Sequence, residues 1–152
     1  MARDEIDGLL SATGGETVRY LQRGVRNTMT EHCGVVREEG GIRAGLHELD
    51  AIDEHATQLG VHPDIAGYQD LAHAFDLKSS LMAARATLEA ALERRESRGC
   101  HNRSDYPELD ESLQVNLVWS GPGQLTREPI PEIPSEIAGL MREVSADGKL
   151  VE

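Results

Sequence analysis

Aromatic residues are nearly missing from this chain, with one Trp, three Tyr and one Phe among 152 residues. A core must therefore come from Leu, Ile, Val, Ala and Met, which suits packed helices better than a β-sandwich. Lysine is equally scarce, present only at Lys78 and Lys149. Positive charge as a whole falls short: 15 Lys and Arg face 27 Asp and Glu, for a formal net charge of -12. Nucleic acid and anionic membrane would both meet long-range repulsion, so neither is an expected partner. Two cysteines, Cys33 and Cys100, are too few for a disulfide framework. No apolar run approaches the ~20 residues of a membrane span, and no signal-peptide apolar region opens the chain. The expectation is a cytoplasmic protein without direct membrane insertion; a place on the cytoplasmic face of a membrane complex is compatible with it.

What is present is helical periodicity. Arg3 to Leu10 predicts a short helix with Ile6, Leu9 and Leu10 on one side, broken at Thr13-Gly14-Gly15. From Glu16 a stripe of Val18, Leu21, Val25 and Met29 predicts a helix ending near Cys33-Gly34. A second stripe runs through Ile42, Leu46, Leu49, Ile52, Ala56 and Leu59. Gly60 stands at the expected C-cap, and His62-Pro63 stops continuation. The third segment, N-capped by Asp64, carries two apolar sets: Leu71, Phe75, Met82 and Ala86, and Ala74, Leu77, Leu81, Leu88 and Leu92. So wide an apolar surface belongs to a helix covered on two sides, either as the middle of a bundle or with one face docked elsewhere.

Beyond Arg98-Gly99 the character changes. Leu113 to Trp119 alternates polar and apolar residues, Gly121-Pro122-Gly123 offers a turn, and Gln124 to Glu128 can return as a strand. Pro129, Pro131 and Pro134 predict extended chain, and Ser135 caps a short helix through Ile137, Leu140 and Met141. The expected fold is mainly α: a spectrin-repeat-like three-helix bundle with an extended hairpin tail and a short final helix. Residues 1–15 form a lead-in, 16–99 the bundle, and 100–152 a loop, hairpin and proline-rich tail packed on it.

The run Arg95-Glu96-Ser97-Arg98-Gly99-Cys100-His101-Asn102-Arg103-Ser104-Asp105-Tyr106-Pro107 resembles the signature of the C-terminal helical domain in the succinate dehydrogenase/fumarate reductase flavoprotein family, where Ala usually replaces Cys100. Gly34-Val35-Val36-Arg37 upstream, and Asn116 to Trp119 and Arg127 to Pro131 downstream, resemble flanking segments of the same family. L-aspartate oxidase shares this architecture. The resemblance implies a parent flavoprotein that binds FAD through a domain not represented here, with this chain bracing that domain and an iron–sulfur subunit as a further partner. No G-x-G-x-x-G follows a strand, so no dinucleotide fingerprint is present. The chain alone is expected to be inactive and to bind no cofactor, with no catalytic, cofactor-binding or metal residues. The alternative is a free-standing acidic helical protein-interaction module.

Arg95, Glu96, Arg98, His101, Arg103, Asp105 and Trp119 are the candidate domain-interface residues. The arginines, with Arg94, complement a helix C-terminus, and Glu96 and Asp105 are natural partners for their forked donors. Solvated charge at a helix end is the plainer explanation; the family resemblance favours a polar seam toward another domain. His32-Cys33 with Cys100-His101 does not suit zinc, because helical neighbours diverge by roughly 100°. Ser97 and His101 lack any oxyanion hole or positioning group. His47, His55, His62 and His73 are scattered, and Asp50, Asp53 and Glu54 form a solvated face. Trp119 is expected to pack the hairpin on the bundle or to anchor a neighbouring domain.

Overall fold

The computed structural model describes residues 2–12, 15–61 and 67–138. In chain order these form α1 (Ala2–Ser11), α2 (Val18–His32), β1 (Val36–Arg37), α3 (Glu39–Ala56), α4 (Gly67–Glu93), β2 (Asn102–Arg103), β3 (Val115–Gly121), β4 (Gln124–Pro129) and α5 (Ser135–Ala138). Helices α2, α3 and α4 all pack on one another, which is the expected three-helix bundle of a mainly α domain.

The stripes explain the packing. On α2, Val18, Leu21 and Val25 are buried, after Thr17 caps the helix by accepting from the Tyr20 N–H. On α3, Ile42 and Leu49 are fully buried. Between them Gly45 allows a close crossing: a Cβ there would lie 2.9 Å from His32 Cβ and 3.2 Å from a Leu88 methyl. On α4 the buried residues are Ala74, Leu77, Leu81, Ala84, Leu88 and Ala91, at alternating three- and four-residue steps. Four of them, Ala74, Leu77, Leu81 and Leu88, belong to one of the two predicted apolar sets, whose fifth member Leu92 is partly buried; Ala84 and Ala91 were in neither set. The other set is only partly covered, and Met82 is exposed.

Helix ends depart from expectation. Helix α3 stops at Ala56, with Thr57 as its right-handed C-cap, four residues before Gly60. Gly60 instead allows a close approach of the N-terminal segment, since a Cβ would fall 2.4 Å from the Ala12 carbonyl oxygen. Leu9 of α1 packs there against the core, and its carbonyl accepts from the Val61 N–H at 2.8 Å. Helix α4 ends at Glu93, well before Gly99, because its last carbonyls are taken by a side chain described below. The positive φ of Gly99 (59°) serves a tight turn in which Arg98 and His101 exchange both backbone hydrogen bonds.

The hairpin forms as β3 and β4, antiparallel from Val115↔Pro129 to Gly121↔Gln124 with an irregularity after Trp119. Leu113, expected to open the first strand, is buried in a 3-10 turn just before it. Strands β1 and β2 pair in parallel, Val36↔Asn102 and Arg37↔Arg103, a contact not anticipated from sequence. The short α5 begins at Ser135 as expected; Thr13, Gly14, His62, Pro63, Asp64, Leu140 and Met141 lie outside the described residues.

Candidate functional site

The Arg-rich signature folds back across the ends of α3 and α4. Arg103 is fully buried, and its guanidinium holds three things at once. Its Nη1 donates to the Ala91 carbonyl at 2.7 Å, with longer contacts to Leu92 and Arg94, and so closes the C-terminus of α4. Its Nε and Nη2 donate to the two oxygens of Asp105, both at 2.7 Å. Its plane also lies over the Tyr106 ring, 4.9 Å from the centroid. Asp105 in turn accepts from the Glu39 N–H at 2.9 Å, the first amide of α3. Glu38 offers that helix no side-chain cap, so the cap comes from a residue far along the chain. The Arg103 hydrogen bonds hold the Asp105 carboxyl well below its usual range against the opposing effect of burial.

Glu96 is the second hub. Its side chain is fully buried; Oε1 accepts from Arg94 Nη1 at 2.6 Å and Arg98 Nε at 3.0 Å, and Oε2 accepts from the Asp110 N–H at 2.9 Å. Burial by itself would raise its pKa. The Arg98, Asp110 and Arg94 hydrogen bonds outweigh that and lower it to about 2. Arg94 extends the hub to the hairpin, donating to the Leu113 and Val115 carbonyls, both at 2.9 Å.

His101 joins the hubs to β1. Its Nε2 faces the Arg94 carbonyl at 3.0 Å and its Nδ1 faces Arg37 Nη1 at 2.8 Å. A carbonyl can only accept and a guanidinium can only donate, so the ring is neutral with its proton on Nε2. The Ser97 hydroxyl accepts from the Arg103 N–H at 2.9 Å and donates to the Tyr106 carbonyl at 2.9 Å, so it is engaged away from His101. Among the described residues no buried side-chain polar atom lacks a partner, and no three His, Cys, Asp or Glu are placed to hold a metal.

Of the seven candidates, Glu96, Arg98, His101, Arg103 and Asp105 are thus brought together in one network. Arg95 is exposed beside it, near enough to Glu39 to help lower that carboxyl's pKa, after the larger effect of the Arg43 hydrogen bond. Trp119 lies apart, on the hairpin, where its Nε1–H donates to Glu89 of α4 at 2.6 Å; the Gly123 N–H donates to the same oxygen at 3.0 Å. Sequence reasoning left Arg37, Ser97 and Glu89 off the list. Arg37 was visible as the end of the family-like Gly34 to Arg37 segment, whereas Glu89 gave no local signal.

Glu89→Ala will therefore loosen the hairpin. The loss of an ionised acceptor shared by two donors should cost ~1–3 kcal/mol. Fluorescence reports it cleanly, because Trp119 is the sole tryptophan: its emission should shift to the red, and an unchanged spectrum would show that Glu89 does not hold the ring.

Comparison with known proteins agrees with the geometry. Residues 22–131 match the family described as "Fumarate reductase flavoprotein C-term". The chain is 30% identical over 149 residues to the fumarate reductase flavoprotein subunit of Helicobacter pylori, covering 96% of this chain and 21% of that protein. It is also 30% identical over 116 residues to an uncharacterised FAD-dependent oxidoreductase of Methanocaldococcus jannaschii, covering 76% of this chain and 21% of that one. A quinol fumarate reductase FrdA structure from E. coli superposes with a TM-score of 0.75 at 21% identity, over 87% of this chain and 24% of that chain. The chain thus spans about a fifth of the length of the curated relatives it matches. On the family match and the shared fold together, this chain belongs to the C-terminal domain family of the succinate dehydrogenase/fumarate reductase flavoproteins.

Proposed function

We propose that this chain is the non-catalytic structural domain of an FAD-dependent succinate dehydrogenase or fumarate reductase flavoprotein subunit, and that it braces the flavin-binding domain. The observation that carries this reading is an apolar edge left open beside the buried network. Val36 on β1 and Val35 just before it are 65% and 75% exposed, next to Asn102 and the His101–Arg37 contact, and Leu109, 49% exposed, adjoins the Arg98–Asp110 contact. Exposed apolar side chains grouped around a polar network suit a surface that another domain covers. A self-sufficient acidic interaction module would be expected to present polar residues there, which counts against that alternative.

The residues present do not fit FAD itself. Arg94, Arg98 and Arg103, the arginines of the network, are committed to Glu96, Asp105 and backbone carbonyls rather than free for a pyrophosphate. In this reading the flavin is held by the parent protein, in a part outside this chain. An iron–sulfur subunit is a further partner in this proposal. No helix among the described residues is long and apolar enough to cross a membrane.

The test uses the flavin-binding polypeptide of the same genome, truncated before its helical domain. Purified chain should bind no stoichiometric FAD and convert no dicarboxylate. Added to the truncated flavoprotein, it should co-elute one to one and raise that protein's melting temperature. Val36→Glu should weaken the complex about tenfold or more, since it places a charge in a desolvated contact. Stoichiometric FAD binding by the chain alone would overturn the proposal.

A further inference from the structure

We propose that the His101–Arg37 contact is an acid-sensitive latch on the β1–β2 pairing, closed while the imidazole is neutral and released when it takes up a proton. The geometry sets the chemistry. Nε2–H already donates to the Arg94 carbonyl, so an added proton must go to Nδ1, the nitrogen that accepts from Arg37 Nη1 at 2.8 Å. Two N–H groups would then face each other across a cationic pair, and the guanidinium must withdraw.

The charges around the ring oppose protonation. Arg37 faces it from β1, Arg94 from the end of α4 and Arg103 from β2, while no carboxylate bonds to either ring nitrogen among the described residues. Burial is the largest effect lowering the His101 pKa; the charges of Arg37, Arg103 and Arg94 add to it, and only the Arg94 carbonyl opposes. The sign follows directly. A neutral form favoured by folding gives stability that is present above the ordinary histidine value of 6.5 and is lost as pH falls below it.

Little else restrains the Arg37 side chain. Its Nε donates to the Gly34 carbonyl at 3.0 Å, a bond within its own loop, and it has no carboxylate partner among the described residues. Its backbone carbonyl accepts from the Ser104 N–H at 2.9 Å, which is part of the two-residue parallel pairing. Releasing the side chain removes one of the polar ties between β1 and the β2 segment, leaving the Ser104 N–H and hydroxyl on the Arg37 carbonyl and the Asn102 amide on the Val35 carbonyl, and this is the segment that displays Val35 and Val36. A latch at this position sets whether that apolar edge is ordered. Its consequence for docking rests on the function proposed above; the latch itself does not.

The test needs only the isolated chain. Imidazole nitrogen shifts, followed by NMR from pH 8 to pH 5, should show His101 with its proton on Nε2 and titrating below 6.5. Exchange of the Ser104 amide should quicken at least about threefold beyond the intrinsic pH effect as that titration proceeds. His101→Gln, which can donate and accept at similar positions without titrating, should keep Ser104 protected and abolish the extra pH dependence. A His101 that titrates at or above 6.5, or a His101→Gln protein that retains the same pH-dependent opening, would overturn the latch. If the variant does not fold, the wild-type titration still decides. Failure of flavoprotein docking with this titration intact would count against the bracing function alone.

Discussion

Replacing Arg103 with Met will lower the unfolding free energy by ~3–5 kcal/mol, the range for removing one partner of a buried ion pair. Met keeps much of the aliphatic stem and removes every donor. Asp105 then loses both of its 2.7 Å bonds, and the Ala91 carbonyl loses its partner at the closed end of α4. Because Asp105 also caps α3 through the Glu39 N–H, the damage spreads to a second helix. Arg103→Lys should be only partly better, since a single ammonium cannot reproduce the fork while reaching a helix carbonyl. Urea denaturation followed by circular dichroism measures the loss, and a fall in melting temperature of roughly 10 °C should accompany it. Hydrogen exchange adds a sharper readout. The first turn of α3 and the last turn of α4 should lose protection together. A loss under ~1 kcal/mol, small on the scale of a buried pair, would mean that Arg103 merely fills space.

That linkage also explains which features sequence could reveal. The stripes on α2, α3 and α4 were legible because a 3.6-residue period is a local pattern, repeated over many residues. The ends of α3 and α4 were not, because their decisive partners are remote. Gly60 has the composition of a cap, yet its lack of a side chain serves the Ala12 backbone. Arg103 stops α4 from ten residues beyond Glu93, a contact no propensity encodes. Strands of two residues, Val36–Arg37 and Asn102–Arg103, are too short to show alternation, so their parallel pairing left no trace. The charge cluster was visible as charge; its wiring was not. Glu96 sits between arginines two residues away on either side, a spacing that diverges on a helix, and nothing in the sequence marks this stretch past α4 as one that turns both onto one buried carboxylate oxygen. The family resemblance singled out these residues, and tertiary structure assigns them first to the domain's own integrity.

Glu96 should lead the response to acid between pH 4.5 and pH 3. Its pKa, lowered from 4.5 to about 2, means that the folded state holds the ionised form more strongly than the unfolded chain does. The stability this supplies is fully present above pH 4.5 and is lost as pH falls toward 2, with a total of ~3 kcal/mol by linkage. Asp105 acts in the same direction. Glu96→Gln removes the charge but preserves the shape, and its amide cannot satisfy two arginines and the Asp110 N–H together. Wild type should therefore exceed Glu96→Gln by ~2–4 kcal/mol at pH 7, in keeping with loss of a buried, hydrogen-bonded charge. By pH 3 the gap should shrink to less than half, because the unfolded wild-type chain has by then taken up the proton that the folded state, with its pKa near 2, still refuses. This acid step lies below the window of His101, so the two carry separate signatures: His101→Gln flattens the profile just under 6.5, whereas Glu96→Gln flattens it below 4.5. Urea titrations at several pH values would measure both. A gap between wild type and Glu96→Gln that stays constant from pH 7 to pH 3 would mean that the buried carboxylate is not held ionised by its arginines, and that its role in the network is one of shape alone.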